Sequence, residues 1–95
     1  MHTNEKNIYA LIEKARRLGL GEVDLNHAQE ELEYFEPEVA FDTIVTQMHE
    51  YGVKIDLEFL RMVDEICDLM KIQRTKYSFL MELLEDRSDP ISGPF

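Results

Sequence analysis

Residues 36–52 read EPEVAFDTIVTQMHEYG and contain the signals of one complete helix. Pro37 is tolerated in a first helical turn, and the carboxylates of Glu36 and Glu38 are favoured near the positive end of the helix dipole. Gly52 is typical of the residue that follows a helix. Between these signals apolar side chains recur at helical spacing, which predicts a buried face. This face consists of Ala40, Phe41, Ile44, Val45, Met48 and Tyr51.

Two similar segments precede this helix. The apolar spacing predicts a first helix from Thr3 or Asn4 to Leu18, followed by a glycine-containing turn. A second, shorter helix is predicted to be capped by Asp24 and to end near Tyr34. The expected inward side chains are Ile8, Leu11, Ile12, Ala15 and Leu18 on the first helix, and Leu25, Ala28, Leu32 and Phe35 on the second.

Two further segments follow it. Residues 53–55 form a brief extended connection, and Asp56 is placed to cap a fourth helix. Its expected inward side chains are Phe59, Leu60, Val63, Ile66, Cys67 and Met70. The apolar pattern breaks at residues 72–75, which indicates either a fifth helix or a bent continuation of the fourth, and we favour the separate helix. Its apolar positions are Tyr77, Leu80, Met81 and Leu84, and Met81 is expected to lie in the core.

These segments predict an all-α fold, a small antiparallel helical bundle of four to five helices. Residues 1–86 are expected to form a single helical domain. Residues 87–95 contain two prolines and a glycine, which do not propagate a helix, and are expected to be a flexible C-terminal tail.

The net charge of −10 is concentrated in one part of the chain. Residues 22–53 contain nine acidic side chains and neither Lys nor Arg. Nucleic acid and anionic membrane surfaces attract clustered basic side chains, so neither is an expected direct partner. A basic protein surface would instead be steered toward this region.

The candidate partner-binding residues lie where the second helix meets the third. They are Glu30, Glu31, Glu33, Tyr34, Glu36, Glu38 and Asp42. Tyrosine is favoured at the centres of protein interfaces, and Tyr34 flanks the acidic cluster, so it is the expected aromatic anchor. The alternative interpretation is a solvated acidic face that only keeps the protein soluble.

The sequence contains no recognisable catalytic, cofactor or metal motif. It has no glycine-rich phosphate loop, and His27 and His49 lack the companion ligands of a metal site. Cys67, the only cysteine, lies on an apolar stripe and is expected to be a packed thiol in a reducing compartment. The start of the chain lacks the layout of a secretion signal, and no apolar run reaches 18 residues, so the cytoplasm is the expected location.

Residues 30–72 contain a pattern that resembles the Maf-type immunity family. The resemblance rests on three stretches, EPEVAFDTI at residues 36–44, QMHEYGVKI at 47–55 and DLMKI at 68–72. Members of this family are small helical bacterial proteins encoded beside polymorphic toxins, including those of contact-dependent growth inhibition. They protect the producing cell by binding the toxin domain.

The resemblance implies an immunity protein that forms a heterodimer with a cognate toxin. The toxins encoded beside this family are often nucleases, including EndoU-like RNases, whose basic clefts bind RNA. An acidic surface on the second and third helices suits such a cleft, whether it covers the active site or an adjoining exosite. The alternative function is an acidic helical adaptor or regulatory module, which could also associate with itself. Neither function requires a cofactor or catalysis.

Overall fold

The computed structural model describes residues 3–84, and their secondary structure confirms the all-α prediction. Four α-helices are followed by one 3-10 segment. Their bounds are Thr3–Leu18 (α1), Glu22–Glu33 (α2), Pro37–Glu50 (α3), Leu57–Met70 (α4) and Arg74–Leu83 (the 3-10 segment). The expected tail at residues 87–95 and the predicted domain end at residue 86 lie outside the described residues.

A single cluster of buried side chains draws on all five elements. Its largest fully buried members include Phe41 from α3 and Phe59 from α4, together with several aliphatic side chains of α1. α1 packs against α2, α3 and α4, whereas α2 packs mainly against α3 and α1. The side of α2 that faces away from these two helices is therefore open to solvent.

α2 begins earlier than predicted, so the assignment of Asp24 as its cap is wrong. Gly21 precedes the first turn in an extended conformation and provides no side-chain cap. Asp24 is instead buried within the first turn, where its Oδ1 accepts a hydrogen bond of 2.8 Å from Nε2 of Gln47 on α3. Asp24 therefore connects α2 to α3 through its side chain and does not cap the start of α2.

The turn between α2 and α3 is a Schellman motif, in which two backbone N–H groups close back onto the last helical turn. The amide of Glu36 donates to the carbonyl of Glu31 at 2.9 Å, and the amide of Phe35 donates to that of Leu32 at 3.0 Å. Phe35 has φ 63° and a side chain that is 81% exposed. Its predicted place in the core is therefore wrong, because the left-handed turn directs the ring away from Leu32.

α3 begins and ends where its sequence signals predicted. Pro37 occupies the first turn and Gly52 follows the helix with φ 61°, in the same Schellman hydrogen-bond pattern. The prediction that Tyr51 belongs to the buried face is wrong, because its side chain is 65% exposed. Tyr51 comes after the last full turn, where the backbone has left helical geometry and the spacing rule no longer applies.

Residues 53–56 lie between α3 and α4 and contact two remote parts of the chain. Asp56 caps α4 as predicted, with its Oδ1 accepting from the amide of Phe59 at 2.9 Å. Nζ of the buried Lys14 on α1 lies 2.8 Å from Asp56 Oδ2. The amide of Ile55 donates to the carbonyl of Leu83 at 3.0 Å, beside an isolated parallel bridge between Ile55 and Leu84.

The fifth element is separate from α4, as favoured, but it is a 3-10 segment with a kink at Tyr77. Its buried side chains are Tyr77, Leu80 and Leu83, which are spaced by three. This spacing fits the 3.0 residues per turn of a 3-10 helix, in which residues three apart align along one face. The inward assignment of Met81 is wrong, because this period leaves it 60% exposed.

Candidate protein-binding surface

The tip of the α2–α3 hairpin, defined here as residues 33–36, presents two adjacent exposed aromatic side chains. Tyr34 is 77% exposed and Phe35 is 81% exposed. Val39, one turn into α3, is also exposed. Exposed aromatic side chains next to one another are typical of interface centres, because rigid rings bury a large area with little loss of side-chain freedom.

The backbone conformation of Phe35 is unfavourable for its side chain. The same hydrogen-bond pattern ends α1, α3 and α4, where the left-handed position is occupied by Gly19, Gly52 and Lys71. A residue with a Cβ in this conformation costs roughly 1 kcal/mol relative to glycine. Because the Phe35 ring is exposed, its packing within the chain does not offset this cost. An unfavourable residue of this kind at an exposed turn is a reason to expect a functional role.

Four of the predicted binding carboxylates lie within this tip or next to it on the surface. Glu30, Glu33, Glu36 and Glu38 are all exposed. Within residues 3–84, no Lys, Arg or His side chain forms an ion pair with Glu30 or Glu33. Together with Tyr34, these carboxylates remain available to a partner.

Two other predicted binding residues are used inside the fold. Glu31 is partly buried, and its Oε1 accepts a hydrogen bond of 2.7 Å from the hydroxyl of Thr43. Asp42 is also partly buried, and its Oδ1 accepts from the hydroxyl of Tyr77 at 3.0 Å. The predicted cluster therefore divides into exposed carboxylates around the tip and two that fasten α3 to its neighbours.

Sequence reasoning missed an apolar groove at the opposite end of the hairpin. We call it the end groove; its volume is about 400 Å³, and it is lined by Gly19, Gly21, Glu22, Val23, Asp24, Tyr51 and Val53. Val23 is 68% exposed and Tyr51 is 65% exposed. The groove was hidden in the sequence because two separate segments, residues 19–24 and 51–53, form its walls, although Val23 lies outside the inward stripe of α2.

Two buried titratable side chains of the described residues have raised pKa values. Tyr77 has a pKa well above its usual range, because burial disfavours the phenolate and the hydroxyl donates to Asp42. Burial likewise raises the pKa of the Cys67 thiol. Nε2 of His49 lies 3.0 Å from Oε1 of Glu82, and its ring packs 4.7 Å from that of Phe79. These contacts join α3 to the 3-10 segment.

Residues 3–84 contain no group of three or more His, Cys, Asp or Glu side chains arranged to hold a metal ion. Over the same residues, no helix combines the length and the apolar character that crossing a membrane requires. Comparison with models of known protein families, with curated proteins and with solved structures finds no match to the chain.

Proposed function

We propose that the chain is an immunity-type inhibitor that binds a basic toxin domain through the α2–α3 hairpin. The observation that carries the proposal is the exposed Phe35, held in a backbone conformation better suited to glycine and flanked by exposed carboxylates. Its ring inserts into an apolar pocket of the partner, while the carboxylates around the tip contact basic side chains at the rim.

The charge of the hairpin supports a basic partner. Residues 22–53 carry nine acidic side chains and no Lys or Arg. A nuclease domain has a basic cleft for its polyanionic substrate, so an EndoU-like RNase toxin fits this surface, as the resemblance to Maf-type immunity proteins implies. In this proposal the chain acts in the cytoplasm of the producing bacterium, forms a heterodimer with the toxin, and needs neither cofactor nor metal.

Co-expression with the toxin-like product of the adjacent gene tests the proposal. The two chains should co-purify, and the toxin should be inactive in the complex. Replacing Glu30 and Glu33 with lysine should slow association about tenfold at low salt, because steering by charge acts on the association rate. Glu65→Lys, an exposed carboxylate on α4, is the matched control. Unchanged association kinetics in the double variant would refute this surface as the docking site.

A second candidate function, a self-associating adaptor, is favoured by apolar side chains outside the hairpin. Leu69 and Met81 are both exposed. Sedimentation over a range of concentrations distinguishes the two functions. An adaptor of this kind would form dimers that Leu69→Ser or Met81→Ser weakens, whereas the inhibitor should remain monomeric until its toxin is added.

A further inference from the structure

The outward face of α2 carries a continuous line of side chains that the fold leaves uncovered. Val23, His27, Glu30 and Tyr34 follow one another at intervals of four, three and four residues, so they lie along one side of the helix. All four are exposed, and they lie opposite the buried Leu25, Ala28 and Leu32. We call this line the outer stripe.

The outer stripe has Val23 and Tyr34 at its two ends, with His27 and Glu30 between them. Val23 belongs to the end groove, and Tyr34 belongs to the hairpin tip. At 1.5 Å per residue, the two side chains are separated by about 16 Å along the helix axis. A partner that contacts both ends must therefore be elongated and must carry apolar side chains about three turns apart.

The shape of this surface favours a helix as the partner element. Backbone groups within α2 are hydrogen-bonded along the helix, so its face offers no edge for pairing with a strand. Side chains spaced by three and four residues form ridges, which pack into the grooves of a second helix.

The charge of the surface favours a basic partner element. Glu30 lies within the outer stripe, and Glu33, which precedes Tyr34, is also exposed on α2. Arg16 on α1 is already paired, since its Nη1 contacts both carboxylate oxygens of Glu22 at 2.7 Å. Over residues 3–84, Glu22 is therefore paired, whereas Glu30 and Glu33 form no ion pair.

We infer that a basic amphipathic helix of the partner lies along the outer stripe, with apolar side chains in the end groove at one end and against Tyr34 at the other. This inference rests on the proposed function and deepens it. It extends the contact surface from the hairpin tip over the whole length of α2 and names the partner element.

The first test uses a synthetic peptide in place of the unidentified partner. A helical peptide of lysine and leucine, with leucines at heptad spacing over four turns, is titrated into the full ¹⁵N-labelled chain. The amides of α2 should shift along the outer stripe, and the affinity should fall as salt rises. A peptide of the same composition with scrambled spacing should bind about tenfold more weakly, and equal binding would overturn the helical geometry.

Substitutions at the two ends of the stripe provide the second test. Val23→Ser and Tyr34→Ser should each weaken peptide binding about fivefold, since each removes roughly 1 kcal/mol of apolar contact. Leu57→Ser is the matched control, because Leu57 is 60% exposed near the start of α4, as Val23 is 68% exposed near the start of α2. The control should change the affinity by less than about twofold.

The same variants, tested on the co-purified toxin, separate this inference from the proposed function. Loss of toxin binding in both Phe35→Gly and Val23→Ser supports the inference. Loss in Phe35→Gly with no change in Val23→Ser would overturn it, while leaving docking through the hairpin tip intact. No effect of Phe35→Gly, Tyr34→Ser or Val23→Ser would overturn both.

Discussion

The hydroxyl of Tyr77 donates a hydrogen bond of 3.0 Å to Oδ1 of Asp42, and this contact joins the 3-10 segment to α3. The Tyr77 ring also packs edge-on against Phe41, with ring centroids 5.2 Å apart. Asp42 thereby has a role inside the fold. Its carboxylate is oriented by Tyr77, which distinguishes it from the exposed carboxylates at the hairpin tip.

Removing this hydroxyl should destabilise the fold without affecting partner binding. Tyr77→Phe keeps the ring contact but leaves the partly buried Asp42 without its donor, so the free energy of unfolding should fall by about 1 to 2 kcal/mol. Urea denaturation measures this change. Tyr51→Phe, on an exposed ring, should be neutral. Equal stability of Tyr77→Phe and the wild type would show that the hydrogen bond contributes nothing.

The raised pKa of Tyr77 also predicts the behaviour at high pH. Burial and the Asp42 contact make the folded state hold the phenol proton more tightly than the unfolded chain. This contribution to stability is fully present below the ordinary tyrosine pKa of about 10. It is lost as the pH rises through the pKa that Tyr77 has in the folded protein. The wild type should therefore lose stability more steeply above pH 10 than Tyr77→Phe, and parallel curves would contradict this account.

Asp56 combines a helix cap with an ion pair, and two substitutions separate these roles. Asp56→Ala should lower the free energy of unfolding by about 1 kcal/mol, because the amide of Phe59 loses its acceptor. Asp56→Asn keeps a capping oxygen and removes only the charge that pairs with Lys14. The alanine variant should therefore be the less stable of the two at neutral pH in thermal and urea unfolding.

The ion pair between Asp56 and Lys14 also predicts how the free energy of unfolding changes at low pH, which we call the acid limb of the stability curve. The hydrogen bond from Lys14 lowers the pKa of Asp56 below its usual value. The resulting stability is present above the unfolded value of about 4 and is lost as the pH falls through the folded pKa. Asp56→Asn should flatten this part of the curve relative to the wild type, and an unchanged acid limb would assign the acid sensitivity to other carboxylates.

Phe35→Gly should make the protein more stable and a poorer binder. Glycine relieves the left-handed backbone, so the free energy of unfolding should rise by about 1 kcal/mol. Gly52→Ala is the reciprocal control, because Gly52 has a similar φ and a Cβ there would meet nothing within 4 Å. It should destabilise by about the same amount. Lower stability of Phe35→Gly would show that the ring packs favourably within the chain.

Cys67 should react slowly while the protein is folded. Its side chain is buried, and burial raises the pKa of the thiol, which lowers the thiolate fraction. A colorimetric disulfide reagent should label it much faster in denaturant than in buffer. Rapid labelling of the native protein at neutral pH would identify a reactive cysteine instead of a packed one.

Sequence reasoning succeeded where a structural signal is local to its segment. The Glu-Pro start of α3, the Asp56 cap and Gly52 each act within one helical turn, so neighbouring residues are sufficient to locate them. The sequence misplaced Asp24 because its partner, Gln47, lies on another helix. Met81 was misplaced because a helical period of 3.6 was assumed where the chain adopts one of 3.0.

The candidate surface was only partly visible for the same reason. Composition located the acidic region, and the position of Tyr34 outside the apolar stripe indicated exposure. The sequence did not reveal that Glu31 accepts a hydrogen bond from Thr43 and that Asp42 accepts one from Tyr77. The conformation of Phe35 follows from the Schellman turn, a motif whose usual glycine is missing from the sequence there.

The connection at residues 53–56 has a consequence for the order of folding. Ile55 and Asp56 reach Leu83 and Lys14, contacts that close long loops on both sides, whereas α2 and α3 meet through a short turn. Closing a short loop costs less conformational entropy than closing a long one, so the α2–α3 hairpin is expected to form early. The contacts of Ile55 and Asp56 are expected to form later, after α1 and the 3-10 segment have packed against the hairpin. In pulse-labelling hydrogen exchange, we expect α2 and α3 amides to be protected before that of Ile55. The surface proposed for binding would then form ahead of the bundle that supports it.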